Sequence, residues 1–95
     1  MNVLVIGGAG VDIVGRLRSE LDADSSSPAQ IRYSFGGVAR NVAENLARLG
    51  QAVRLITAVG EDDAGGRLMD VLAEAGVDTE AVLRTAESST GTYLA

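Results

Sequence analysis

Residues 34–50, SFGGVARNVAENLARLG, decide what kind of fold this chain adopts. Stepped at about 100° per residue, Val38, Val42, Leu46 and Leu49 fall on one side of a helix, with Ala39 and Ala43 beside them. Arg40, Glu44 and Arg48 take the opposite arc, and Glu44 and Arg48 have the i,i+4 spacing of an ion pair. Gly50 stands where a helix needs a residue of positive φ to end. Just upstream, Ile31-Arg32-Tyr33-Ser34-Phe35 alternates apolar and polar, the pattern of a strand with one covered face. A strand, a glycine pair and an amphipathic helix therefore follow one another directly.

Working outward, Val3-Leu4-Val5-Ile6 is continuously apolar and ends at Gly7-Gly8, which predicts a strand buried on both faces, as in a parallel sheet. Asp12 to Leu17 is mixed in character. Residues 21–28, Leu-Asp-Ala-Asp-Ser-Ser-Ser-Pro, are polar and turn-rich and are expected to form a mobile loop tip. Residues 12–35 then form a ribbon that leaves the main sheet and returns to it. Val53 to Val59 is a further apolar strand, and Asp62 or Asp63 caps a second helix that carries Leu68, Leu72 and Ala75 on one face and ends at Gly76. The last residues, 88–95, read as a strand just beginning. Strands alternating with amphipathic helices indicate an α/β fold with a parallel sheet and right-handed crossovers. The pattern stops without a closing element, the expectation for an incomplete domain.

The composition narrows the function. The 95 residues are 46% hydrophobic and 22% charged, a globular balance, while aromatics are only 3%, so the core rests on Val, Leu, Ile and Ala. A chain of this length buries a modest share of its surface, and its independent stability is expected to be marginal. The net charge of −5 lacks the basic face of a nucleic-acid reader. There is no cysteine for disulfides or thiolate metal sites and no histidine for metal ligation. The amino end has neither the charged region of a signal peptide nor an apolar run long enough to span a membrane. A cytoplasmic setting is expected.

Several glycine motifs invite a nucleotide or metal. Gly8 and Gly10 fall short of the dinucleotide fingerprint, because Ile13 occupies the position where glycine or alanine allows close helix–strand packing. Gly10 and Gly15 have the spacing of a phosphate loop, but Arg16-Leu17 replaces its lysine and hydroxyl. Residues 60–65, Gly-Glu-Asp-Asp-Ala-Gly, lack the alternating carboxylates of a calcium loop and suit a helix cap better. No metal ligands are assigned. Gly36-Gly37 differs, since side-chain-free backbone at a helix start lets another group come close. Asn41, in the first turn, can reach a ligand hydroxyl, although a tight turn with an incidental asparagine explains the same residues.

The run Gly36-Gly37-Val38-Ala39-Arg40-Asn41-Val42-Ala43, followed by Gly50 and Gly60, resembles the amino-terminal signature of the PfkB, or ribokinase-like, carbohydrate and nucleoside kinases. A first strand leading through glycines to Asp12, Val-Gly-Glu-Asp-Asp-Ala-Gly-Gly at 59–66 and Ala-Gly-Val-Asp-Thr at 75–79 agree with it. The resemblance covers the whole chain, and the wording of residues 36–50 is similar to the pseudouridine-kinase branch. It implies the amino-terminal part of a ribokinase-like domain, with lid segments at about 12–35 and 88–95. It also implies transfer of the ATP γ-phosphoryl group, with magnesium, to a hydroxymethyl group of a sugar or nucleoside. Asp12, Gly36, Gly37 and Asn41 match the family's sugar-binding positions, and the lid implies a homodimer in the complete enzyme. No nucleic-acid or membrane partner is implied.

The family's distal motif, resembling Asp-Thr-x-Gly-Ala-Gly-Asp, supplies the catalytic base and borders ATP, and it does not occur here. Residues 89–92, Ser-Thr-Gly-Thr, are not followed by aspartate. No catalytic residue is therefore assigned within the chain, which is expected to be inactive alone, since in-line transfer needs both partners positioned. Two alternatives stand beside the kinase fragment: a non-catalytic sugar- or nucleoside-binding or interaction module, and a generic nucleotide-binding α/β domain. The downstream reading frame distinguishes the first from a kinase, and binding of ribose, pseudouridine and NAD tests the second.

Overall fold

Two five-residue, mostly apolar strands, one at the amino end and one after the first helix, pair in parallel, and this pairing organises the molecule. A computed structural model describes residues 2–20 and 26–95. In chain order the elements are β1 (Asn2–Ile6), β2 (Gly10–Leu17), β3 (Ala29–Gly36), α1 (Val38–Arg48), β4 (Ala52–Ile56), β5 (Ala58–Gly60), α2 (Asp63–Glu74), β6 (Leu83–Thr85) and β7 (Thr92–Leu94). β1 lies beside β4 from Asn2↔Ala52 to Ile6↔Ile56, and β5 lies parallel to β6. A second sheet has the order β3-β2-β7. In it β2 and β3 form an antiparallel ribbon from Gly10↔Gly36 to Leu17↔Ala29, and β7 runs parallel to β2. This is the mixed α/β architecture with a protruding β ribbon that the sequence predicts.

The core lies where α1 and α2 cover one face of β4 and β5. Leu55, Val59, Leu68 and Leu72 are fully buried, and Ala39, Ala43, Val53, Ala75 and Val77 complete the cluster. Each fully buried leucine contributes about 1.5–3 kcal/mol of transfer free energy. Both helices end as their glycines predict. Gly50 and Gly76 have φ of 91° and 90°. The next N–H reaches back into the last turn in each case, Gln51 to the Leu46 carbonyl and Val77 to the Leu72 carbonyl.

Three expectations change. β1 is covered on one face only: Val3 and Val5 pack on the core, while Leu4 and Ile6 are 56% and 69% exposed. Helix α1 does not bury its large apolar stripe. Val38 and Leu49 are 80% and 78% exposed, and Ala39 and Ala43 make the contact, because small side chains let the helix lie close to the β1 turn. A Cβ on Gly7 would stand 2.9 Å from that of Ala39. The segment 53–59 is two strands rather than one, since at Thr57 the backbone turns from β1 to β6 and the Thr57 carbonyl accepts the Leu83 N–H at 2.9 Å. Strand β6 itself is too short and mixed to stand out in the sequence. Residues 21–25 of the expected loop tip lie outside the described residues. Among the described residues, no helix is long and apolar enough to cross a membrane.

Candidate functional site

The chain leaves β1 through Gly7-Gly8 and enters β2 at Gly10, so glycine backbone collects at the carboxyl end of a parallel strand, where open α/β sheets bind ligands. There a cleft of about 300 Å³ is lined by Gly8, Ala9, Gly10, Val11, Asp12, Gly37, Gly91, Thr92 and Tyr93. A larger groove of about 490 Å³, lined by Asn2, Leu4, Ala52, Arg54 and Asp78 among others, sits at the opposite ends of β1 and β4. It is the bare flank of the two-stranded sheet, remote from the glycine turns, and the position of the smaller cleft fits chemistry better.

Asp12 is half-buried on β2 and shares a sheet face with its pairing partners, Ser34 on β3 and Tyr93 on β7. Its carboxylate is held over the end of β3. A Cβ on Gly36 would stand 2.6 Å from Oδ1 and 2.7 Å from Oδ2, so this strand end must be glycine for the carboxylate to lie as it does. Gly37 has φ 92° and ψ 132°, and a Cβ there would run into the Gly8 carbonyl and stand 2.6 Å from the Ala9 Cα. Both glycines of the pair are thus required, one by a side chain and one by backbone. The Arg40 N–H donates to the same Gly8 carbonyl at 3.2 Å and fastens the start of α1 to the β1–β2 turn.

Two features of the site escape sequence reasoning. Arg40, placed on the polar arc by periodicity, is buried at 8% exposure. Its Nε donates to the Gly36 carbonyl at 3.1 Å and its guanidinium pairs with Glu44, which also receives Arg48 Nη2 at 3.0 Å. The four-residue spacing back to a carbonyl at the helix start is the only sequence signal of this brace. The second is the cleft's far wall. Gly91 accepts the Val11 N–H at 2.9 Å, and a Cβ on Gly10 would stand 2.6 Å from that carbonyl oxygen, so β7 lies hard against the entrance of β2.

Of the four predicted residues, Asp12 and Gly37 line the cleft and Gly36 supports Asp12 from behind. Asn41 stands apart from the lining, exposed in the first turn of α1, where its N–H donates to the Gly37 carbonyl at 3.0 Å. Thr92 joins the lining, with its hydroxyl donating to the Thr90 carbonyl at 3.2 Å. The expected cap of α2 is Asp62, whose side chain accepts the Gly65 N–H at 2.8 Å. Hydrogen bonds from the Thr90 hydroxyl, the Thr90 N–H and the Gly65 N–H hold this carboxyl down at about 2, from an ordinary value of 3.8. No three metal-ligating side chains converge among the described residues, and no lysine follows any of the glycine turns. These residues do not fit magnesium or the ATP phosphates.

Known kinases resemble this chain over nearly all of its length. The chain is 37% identical over 92 residues to pseudouridine kinase of Escherichia coli strain K12, covering 97% of this chain and 29% of that protein. It is 38% identical over 93 residues to guanosine-inosine kinase of Exiguobacterium acetylicum, covering 98% of this chain and 31% of that protein. The structure of fructokinase with bound ATP from Xylella fastidiosa superposes with a TM-score of 0.85 at 32% identity, over 98% of this chain and 28% of that chain. The chain thus spans less than a third of the length of each of these relatives. The family model described as pfkB family carbohydrate kinase matches residues 1–95, and this chain belongs to that family.

Proposed function

We propose that these residues are the substrate-binding part of an ATP-dependent kinase that phosphorylates a hydroxymethyl group of a sugar or nucleoside, pseudouridine or a ribose-like compound. The observation that carries the reading is the Asp12 carboxylate, half-buried over a glycine and facing a cleft walled by Gly37 and β7. Asp12 accepts hydrogen bonds from vicinal hydroxyls, Gly36 and Gly37 let the sugar ring approach the backbone, and the Asn41 amide turns to a further hydroxyl when the substrate is bound. The ribbon β2–β3 and strand β7 act as the lid, excluding water from the transfer, and also as the face through which two subunits pair. ATP, magnesium and the base that deprotonates the hydroxymethyl group are supplied by sequence in the part of the relatives' length that this chain does not span. The bare Leu4–Ile6 face of β1 and the exposed Val38 and Leu49 of α1 support that assignment, as apolar surface of the kind the rest of a larger domain would cover. The reading sets the protein in the cytoplasm, with its nucleotide.

The test is a phosphotransfer assay on an enzyme that carries these residues with their downstream sequence, using ribose, pseudouridine, guanosine and fructose as acceptors. Turnover with a nucleoside or pentose, lost in Asp12→Ala while ATP still binds, is the expected result. Undiminished turnover in Asp12→Ala, or no transfer to any acceptor, overturns the assignment. The 95 residues alone are expected to bind acceptor without turnover.

A further inference from the structure

Strand β7 is three residues long, exposed throughout, and among the described residues pairs with β2 alone. Such a strand has little burial to hold it, yet it forms one wall of the cleft. What precedes it is unusually well tied. Thr90 is 4% exposed. Its hydroxyl donates to Asp62 Oδ1 at 2.6 Å and accepts the Gly60 N–H at 3.0 Å, while its own N–H donates to Asp62 Oδ2 at 2.8 Å. Asp62 Oδ1 also takes the Gly65 N–H that starts α2. Both carboxylate oxygens are therefore engaged, one helix start and one distant loop being gathered on a single side chain.

The glycines of residues 60–65 make room for this. A Cβ on Gly60 would stand 2.6 Å from the Thr90 nitrogen and 2.8 Å from Asp62 Oδ2, and one on Gly65 would stand 2.9 Å from the Thr90 hydroxyl oxygen. The run that reads locally as a helix cap is shaped to receive a threonine from far along the chain. Immediately after that threonine, Gly91 accepts the Val11 N–H, next to Asp12, and Gly91, Thr92 and Tyr93 line the cleft.

We propose that Asp62 and Thr90 are positioning residues for the cleft: their carboxylate–hydroxyl clamp fixes where β7 lies against β2, and so sets the distance across the site opposite Asp12. The substrate side of this statement rests on the sugar-binding reading above; the clamp itself does not. Thr90→Val keeps the shape of the side chain and removes the hydroxyl, Thr90→Ser restores it, and Asp62→Asn keeps the shape of the cap without its charge.

Amide hydrogen exchange on the chain and its variants, with calorimetric titration of D-ribose and pseudouridine, tests the proposal. In Thr90→Val the amides of Val11 and Gly15, which donate to the Gly91 and Ala95 carbonyls, are expected to exchange at least about tenfold faster, since the hydroxyl's bonds to the charged Asp62 and from the Gly60 N–H are both lost. Amides of β4 keep their rates, Thr90→Ser behaves as the parent, and Asp62→Asn opens the same two amides. The Kd of the probe that binds the parent rises by about the same factor. Unchanged exchange at Val11 and Gly15, an equal rise in β4, or a local opening that leaves Kd unaltered each overturns the clamp as a positioning device. If neither probe binds the parent, the sugar-binding reading fails, and the exchange pattern alone decides whether the clamp holds β7.

Discussion

The two helices begin in opposite ways. α2 starts at Asp62, in extended backbone, with its side chain on the Gly65 N–H and Asp63 in the first turn. α1 starts at Gly37, with no side-chain cap and no acidic residue in its first turn. Helix starts carry unpaired donors and a positive partial charge, so a carboxylate there is stabilising. The chain supplies one to α2 and withholds it from α1, whose start lies beside Asp12 and the cleft instead. A closed start serves the fold, whereas the open one, next to the Asp12 carboxylate, is where the proposed acceptor would meet the backbone.

The strongest way to break this contrast is to fill the open start. Gly37→Ala forces a side chain into positive φ and against the Gly8 carbonyl, and should lower unfolding free energy by about 3 kcal/mol, the upper end of backbone strain. Urea denaturation measures it, and a loss below half that size would show the turn to be adaptable. Gly36→Ala separates site from scaffold. Its Cβ meets the movable end of Asp12, so acceptor affinity should drop by about 2 kcal/mol in calorimetry while stability changes by under about 1 kcal/mol. Asn41→Ala, at an exposed position, should weaken acceptor affinity by about 1–3 kcal/mol with the melting temperature nearly unmoved. A large fall in Tm with affinity intact would instead make Asn41 part of the helix start.

The smallest effect concerns the closed start. The Asp62 carboxyl titrates at about 2 in the folded chain against an ordinary 3.8. A depressed folded value means the unfolded chain takes up the proton first, so this stabilisation is complete above the ordinary value and fades as pH falls from 3.8 towards 2. Asp78 adds a slope of the same sign, its carboxyl being lowered by the Glu80 N–H and by Arg54. Denaturation midpoints followed down through this window should fall less steeply in Asp62→Asn than in the parent, with the Asp78 share remaining.

Much of this was legible in the sequence because it is local. Gly50 and Gly76 end helices for a reason visible in one turn of chain, and Asp62 caps for the same reason. The parallel α/β order follows from periodicity. The errors came where a neighbour far along the chain decides. Val38, Val42, Leu46 and Leu49 form a proper helical stripe, yet of these Leu46 alone packs on the core beside the buried Ala39 and Ala43, and at the helix start Gly7 lets Ala39 come close to the β1 turn. Arg40 looks solvent-facing until the Gly36 carbonyl comes within its reach. Thr90 is an unremarked hydroxyl in a serine-rich run, and nothing within ten residues of it announces Asp62. For the site, the resemblance supplied Asp12, while the glycine pair and Asn41 could be raised from local chemistry that a tight turn explains as well.

The pairing of β2 with β7 also carries a kinetic meaning. Val11 meets Thr92 across nearly the whole length of the chain, a longer separation than in the β1–β4 or β5–β6 pairs. Closing so wide a loop carries the greatest entropic penalty of any pairing in the molecule. The hairpin and the leucine core can therefore assemble while the cleft is still only half walled, and by this reasoning the wall formed by β7 is expected to close late in folding.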